Sequence, residues 1–287
     1  MDIPHVVSDI DKENVSVVEF RPHVAPTNCL SVSTSDDCKI YSTSHDGTML
    51  CVNLEKMIFE NMFATDFKSR VKHLTWHKER EADTFLITHG NGRVGIMDMR
   101  KRGASRVDWI KCFPRSARTV DIHPTNNNYF LVSSGTGSCC IFDMRNARQT
   151  NPVAVCQMNH PKGLTSAFFS GLGNYVLTTC NDDFLRVYDV KNLGNSRLIS
   201  QTVHNNHTGK WLSVFKAIWY PSREDAFLIG DLKKPRRIQI YGRNGKLINE
   251  LRNKEMTTVS PVIAVHPHLP LIVGGNSSGK IHAFQAE

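Results

Sequence analysis

Residues 129–145 run Tyr129-Phe130-Leu131-Val132-Ser133-Ser134-Gly135-Thr136-Gly137-Ser138-Cys139-Cys140-Ile141-Phe142-Asp143-Met144-Arg145. An apolar run, Tyr129 to Ser133, meets a turn at Thr136-Gly137-Ser138, and a second apolar run closes on an acid at Phe142-Asp143. Two short β-branched and aromatic runs joined by a Gly turn read as a hairpin. The same hairpin recurs on both sides. Gly47 in His45-Asp46-Gly47-Thr48 and Gly92 in Asn91-Gly92-Arg93 precede Gly137 at 45-residue steps, and Asp183 in Asn181-Asp182-Asp183-Phe184 makes the same turn 46 residues later. The acid-closed strand returns as Met97-Asp98-Met99-Arg100 and Tyr188-Asp189-Val190-Lys191. A third marker ends an earlier strand of each unit: Trp76-His77, Ile122-His123-Pro124, Phe169-Ser170, Trp219-Tyr220-Pro221 and Val265-His266-Pro267, at steps of 46, 47, 50 and 46.

Each unit therefore holds three strands and a looser fourth. A period of ~40–45 residues with four strands per unit is the signature of a WD40-type β-propeller, an all-β fold. Six units end near Leu54, Arg100, Arg145, Val190, Tyr241 and Phe284. Residues 1–14 read as a polar amino-terminal segment and 15–287 as a single propeller domain. Propellers close by pairing an amino-terminal strand with the last blade, which removes exposed edges. Val15 to Arg21 is the strand expected to do this. Either it closes a six-bladed ring, or the chain is an amino-terminally incomplete seven-bladed propeller.

Of the 287 residues, 40% are hydrophobic and 22% charged, a globular composition. No apolar run approaches the ~18 residues of a membrane span, and Met1-Asp2-Ile3-Pro4-His5 lacks the basic-then-apolar order of a secretory signal. The eight cysteines include no Cys-x-x-Cys pair, so free thiols in a reducing compartment are expected. Gly90-Asn91-Gly92-Arg93-Val94-Gly95 spells a dinucleotide fingerprint, but it sits within a hairpin, without the helix whose amino terminus meets a pyrophosphate. Gly274 to Lys280 imitates a P-loop, but Ile281 stands where the metal-binding Ser or Thr belongs. Neither a Cys/His cluster with metal spacing nor a nucleophile with its base is found. The expectation is a non-enzymatic protein with no cofactor, metal, small-molecule substrate or membrane partner.

Thirty-five Lys and Arg against 27 Asp and Glu leave a net charge of +8. Blade topology places this charge. Loops leading into each first strand and hairpins between second and third strands share one rim of a propeller. Arg70, Lys72, Arg115, Arg118, Lys162, Lys210 and Lys216 fall in the lead-in loops, and Arg93, Lys233, Lys234, Arg236, Arg237 and Lys280 in the hairpins. Such a rim attracts phosphates by counterion release. In the longest lead-in loop, His204 to Trp211, Trp211 beside Lys210 is of the kind that stacks on a base; it equally reads as the first, packed residue of a strand. Lys233-Lys234-Pro235-Arg236-Arg237 reads both as a nuclear import signal and as a phosphate contact.

Phe168 to Cys180, Gly209-Lys210-Trp211-Leu212 with Lys216-Ala217-Ile218-Trp219, Pro235-Arg236-Arg237 and Gly274 to His282 closely resemble the family of WD repeat-containing protein 76 and its fungal DNA-damage-binding relatives. The second subunit of the damage-specific DNA-binding complex is a more distant cousin. The resemblance implies a nuclear, seven-bladed propeller that binds double-stranded DNA, damaged or carrying modified cytosine. It aligns Gly209-Lys210-Trp211 with the cousin's lesion-probing hairpin, although here the aromatic stands last rather than first. Asp98-Met99-Arg100 and Asp143-Met144-Arg145 are similar to the double Asp-x-Arg box of cullin-RING ligase substrate receptors. That likeness implies an adaptor site at Asp98, Arg100, Asp143 and Arg145, with the two arginines docking on damage-specific DNA-binding protein 1; the aspartates also read as closing residues of their hairpins. The contrasting reading, without DNA, is a scaffold whose basic rim takes acidic peptides.

Overall fold

The computed structural model describes residues 5–6, 20–65, 74–81, 84–101, 107–147, 152–209, 213–221, 223–276 and 278–285. Among them there is no helix, and the strands form six four-stranded antiparallel sheets. The fold class is the one the repeat gives, an all-β chain of propeller blades. Chain contacts divide it into two units, residues 18–159 and residues 160–287 with 1–17.

The first unit carries three blades. Blade one is Thr27–Val32, Lys39–Ser44, Thr48–Asn53 and Ile58–Ala64. Blade two is Leu74–Glu81, Thr84–His89, Arg93–Asp98 and Val107–Lys111. Blade three is Ala117–Ile122, Tyr129–Ser134, Ser138–Asp143 and Cys156–Asn159. Strand neighbours follow chain order in each. Alternate side chains of a central strand go to opposite faces. Phe85 and Ile87 meet Tyr41, Met49 and Cys51 of blade one, whereas Leu86 between them joins Val120, Phe130 and Cys140 of blade three. Burial on both faces is why the second strands read as unbroken apolar runs rather than as alternation. Rings dominate these faces, with Tyr41 edge-on to Phe85 at 4.5 Å and Phe130 stacked on Phe142 at 5.5 Å.

The second unit repeats this design. Blade four is Leu164–Phe169, Tyr175–Cys180, Phe184–Asp189 and Arg197–Val203; blade five is Ile218–Trp219, Ala226–Asp231, Arg237–Gly242 and Leu247–Leu251. Blade six is Val262–Val265, Leu271–Gly275 and Ile281–Gln285, and its fourth strand is His5–Val6. Leu177, Val187, Phe215, Phe227 and Ile229 fill one inter-blade layer, and Leu228, Ile240, Ile263, Ile272 and Phe284 the next.

Two sequence expectations change here. The strand completing the last blade is His5–Val6, pairing His5 with Gln285 and Val6 with Phe284, not Val15 to Arg21. Residues 15–19 lie outside the described residues, and Phe20 and Arg21 belong to no strand. The segment assigned to 1–14 as merely polar thus supplies two backbone partners, a role that depends on main-chain groups more than on side-chain polarity. The first strand of blade two also runs past Trp76-His77 to Glu81, with register shifts between Leu74 and Trp76 and between Glu79 and Glu81.

The hairpin turns are as the repeat implies. Gly47, Gly92 and Gly137 have φ of 83°, 89° and 102°, and Asp183 takes the same left-handed conformation at 66°. At Gly92 a Cβ would lie 2.4 Å from the Phe113 carbonyl oxygen, so the residue is needed for close approach as well as for φ.

A polar clasp unread in the sequence pins blade one. His23, ahead of the first strand, approaches Asp46 Oδ2 at 3.3 Å and Thr48 Oγ1 at 2.9 Å through Nδ1, and Ser42 Oγ at 2.8 Å through Nε2. The His23 and Asp46 side chains are nearly enclosed. His23→Ala strands these partners and is expected to cost about 1–3 kcal/mol. A urea midpoint unchanged from wild type would remove the role assigned to the clasp.

Candidate nucleic-acid interface

In the first unit, the loop leading into blade three lies against the blade-two hairpin. Phe113 N donates to Gly92 O at 3.0 Å, Ser116 N to Gly90 O at 3.0 Å, and Gly135 N to Ser116 O at 2.8 Å. These bonds bring together what the topology rule assigned to one rim. Arg93 leaves the hairpin, and Arg115 and Arg118 leave the lead-in loop and first strand; all three are exposed. Among the described residues, no carboxylate lies within 4 Å of their guanidinium groups. A Cβ at Gly135 would fall 2.9 Å from Arg118 Nε and 2.3 Å from Ser116 Oγ, so this glycine opens the space Arg118 occupies.

Near Arg118, His45 is held below the ordinary imidazole range, first by burial and then by the arginine's charge. Lys111, absent from the basic residues singled out in the sequence, ends the outer strand Val107–Lys111 and reaches back into the same loop. Its Nζ donates to Asn91 O at 2.7 Å and Pro114 O at 3.0 Å. Burial and the charge of Arg93 lower its affinity for a proton. It ties the loop more than it offers a free cation. Arg70 and Lys72 lie outside the described residues.

The second unit sorts its cations differently from the sequence expectation. Lys162, Lys233 and Lys234 are exposed, while Lys216 is half-buried between the buried Phe215 and Ala217. Lys280 is exposed and 3.8 Å from Glu255. Lys210 and Trp211 lie outside the described residues. Arg236 and Arg237, assigned to DNA from the sequence, point into the protein. Arg236 donates to the Leu232 carbonyl. Arg237 sits 3.0 Å from Asp231 Oδ2, close as an ion pair though not aligned as a hydrogen bond, and donates to both oxygens of Glu250 at 3.0 and 3.1 Å. Register brings these acids in. Asp231 is the cross-strand partner of Arg237, and Glu250 that of Gln239 on the adjacent strand.

The far end of the blades carries the Asp-x-Arg pairs. Asp98 accepts from Arg100 N at 3.0 Å, closing a turn, and its two oxygens then take Arg100 Nε at 2.9 Å and a terminal nitrogen at 3.0 Å. Asp143 and Arg145 repeat the arrangement at 2.9, 3.0 and 2.7 Å. Hydrogen bonding from Arg100 holds the Asp98 carboxyl down at about 2, and Arg145 likewise lowers Asp143. The Arg100 and Arg145 side chains remain 70% and 62% exposed, so each guanidinium is fixed in orientation yet presented to solvent. Blade four keeps the turn, with Lys191 N donating to Asp189 at 3.1 Å, but lysine cannot make the bidentate fork. Arg93 and Asp98 terminate opposite ends of one six-residue strand, roughly 17 Å apart at ~3.3 Å per residue. Basic loop and Asp-x-Arg pair thus face away from each other.

No family model matches the chain. It is 35% identical over 276 residues to WD repeat-containing protein 76 of Xenopus laevis, covering 94% of this chain and 47% of that protein. The Mus musculus protein of the same name is 32% identical over 269 residues, covering 92% of the chain and 42% of the relative. DNA damage-binding protein cmr1 of Emericella nidulans is 25% identical over 284 residues, covering 92% and 53%. The chain thus spans about half the length of the curated relatives it matches. Blade order, turn markers and this identity along nearly all of its residues agree: over the part it spans, the chain belongs to the family of WD repeat-containing protein 76.

Proposed function

We propose that this chain is a non-enzymatic, nuclear DNA-binding module of the DNA damage response that also docks a cullin-RING adaptor, damage-specific DNA-binding protein 1, as a substrate receptor does. The observation carrying the DNA half is the group of exposed guanidiniums, Arg93, Arg115 and Arg118, on a hydrogen-bonded loop with no neutralising carboxylate among the described residues. Arginines so placed suit phosphate, two of whose oxygens can accept the parallel N–H bonds of one planar guanidinium fork. The names of the fungal relatives, DNA damage-binding proteins, support the same reading. The adaptor half rests on the two pinned and exposed arginines at the opposite end of the blades, Arg100 and Arg145.

Arg115→Glu with Arg118→Glu tests the DNA half. If each arginine neutralises one phosphate, the slope of log affinity against log salt falls by about 2, at ~0.9 per contact, and duplex affinity falls by roughly tenfold or more. Filter binding on undamaged, ultraviolet-damaged and cytosine-modified duplexes at several salt concentrations measures both. Unchanged affinity and slope overturn the reading. An acidic peptide that binds this loop and is not displaced by duplex would favour the scaffold instead.

A further inference from the structure

The cation that follows the third strand is placed differently in the two units. In blades two and three it stands two residues past the closing acid and is forked by it, as Arg100 and Arg145. In blade four the backbone of Lys191 keeps the bond to Asp189, but its side chain carries Nζ to 5.4 Å from the centroid of the Tyr175 ring. Blade five ends its third strand on Gly242 where the others end on aspartate, and the guanidinium carbon of the next residue, Arg243, lies 4.4 Å from the same centroid. Tyr175 is buried between the two blades, near Trp219. Two like charges thus meet on one aromatic ring, no more than about 10 Å apart, which is about one Debye length at 0.1 M salt.

The carboxylates around them are already engaged. Glu224 accepts Ser170 Oγ at 2.5 Å, Asn174 N at 3.1 Å and Asn174 Nδ2 at 2.8 Å. Burial opposes its charge, but these bonds and one from the Leu172 backbone hold it below the ordinary carboxylate range. Asp225 takes Arg223 Nε at 2.8 Å and a terminal nitrogen at 2.5 Å, and the charge of Arg243 acts on it more weakly than that of Arg223. Asp189 closes its turn and lies 3.8 Å from Arg197. Among the described residues, no carboxylate lies within 4 Å of the Lys191 ammonium or the Arg243 guanidinium. Lys191 is exposed and Arg243 half-buried, so each keeps part of its charge open while the ring holds it in place. Two leucines flank them, Leu172 and Leu198, 56% and 48% exposed. Leu172 lies in the turn gripped by Glu224, whose carbonyl accepts Arg243 at 3.4 Å, and Leu198 is two residues from Ser200, whose hydroxyl donates to Arg243 O at 2.7 Å.

We propose that Lys191 and Arg243, gathered on Tyr175, receive an acidic peptide segment of a partner protein, its carboxylates meeting the two cations and a neighbouring apolar side chain lying on Leu172 and Leu198. Charge calls for an anion, and the leucines choose among anions. A sugar-phosphate backbone has no large aliphatic group to cover them, whereas a peptide alternating acids with apolar residues does. The site uses none of the residues assigned to DNA or to the adaptor, so it stands or falls apart from both readings.

The probe is a fluorescently labelled peptide alternating glutamate and leucine, titrated with the full chain and followed by anisotropy, with glutamine–leucine and glutamate–serine peptides beside it. Wild type should bind the first and take each of the others at least about tenfold more weakly, and Lys191→Gln with Arg243→Gln should weaken binding about tenfold, the scale of two partly exposed ion pairs. Zero-length carbodiimide coupling on the wild-type chain reads the site without a variant: amide bonds to the probe should form at Lys191 ahead of Lys162, Lys233 and Lys234. Should the double variant melt below wild type, this coupling pattern decides. Equal binding by wild type and a stably folded double variant overturns the proposal, as does equal binding of the glutamate–serine peptide, which would make the effect one of charge alone. Coupling at Lys162, Lys233 or Lys234 in place of Lys191 also overturns it and assigns the peptide to the basic rim, and displacement by duplex DNA assigns the site to nucleic acid. A wild-type chain that does not bind the probe overturns it outright and leaves the DNA and adaptor readings untouched.

Discussion

Arg237→Glu is expected to destabilise the protein by about 3–5 kcal/mol, the scale set by breaking a buried ion pair from one side. The Arg237 side chain is 11% exposed and serves Asp231 and Glu250, which are 5% and 18% exposed. Glu250 also receives Gln239 Nε2 at 3.1 Å and Arg252, and Tyr241 donates to Gln239 at 3.0 Å. Burial pushes the Glu250 carboxyl up, but hydrogen bonds from Gln239, Arg252 and Arg237 outweigh it and hold it below the ordinary carboxylate range. Its contribution is therefore present above the ordinary Glu value near 4.5 and lost as acid protonates it through its lower folded value. Charge reversal would set three carboxylates against one another in a space built for one cation. A fall in the urea midpoint reads the effect; a midpoint equal to that of Arg115→Glu, an exposed charge reversal, would show that the network holds nothing.

Arg100→Ala combined with Arg145→Ala is expected to abolish capture of damage-specific DNA-binding protein 1 while leaving duplex affinity and melting temperature as in wild type. Both guanidiniums are largely exposed and each bonds the aspartate of its own turn, so little of the fold depends on them. Their value is orientation. A bidentate carboxylate fixes the plane of a side chain that would otherwise lose several rotamers on docking. Each single variant should weaken capture, and Arg100→Ala should let the Asp98 carboxyl rise from about 2 toward 3.8, which carboxyl-carbon NMR titration reads directly. Full retention of the adaptor by the double variant would refute the ligase half and leave the DNA half standing.

The difference between these two arginine sets shows where sequence reading reaches. Arg100 and Arg145 each find their partner two residues away, inside the Asp-x-Arg spacing visible in the sequence. Arg237 looked like a phosphate contact because its run, Lys233 to Arg237, is basic in sequence. One of its partners, Glu250, comes from the next strand of the sheet, and only strand register puts the two side by side. His23 and Asp46 are likewise 23 residues apart and carry no spacing signature. The completing strand shows the same limit. Val15 to Arg21 has the alternation of a strand, but the pairing goes to His5–Val6, a choice made by backbone groups at the edge of Ile281–Gln285.

By itself the sequence determined the all-β class, the six repeating units, the turn at Gly47, Gly92, Gly137 and Asp183, and the Asp-x-Arg spacing. All of these are set within one hairpin, where the order of residues along the chain is also their order in space. The tertiary structure alone decided which cations stay at the surface. Net charge is a property of composition, but whether an arginine meets phosphate or carboxylate depends on what cross-strand register lays beside it. That is why Arg115 and Arg118 remain exposed and Arg237 turns inward.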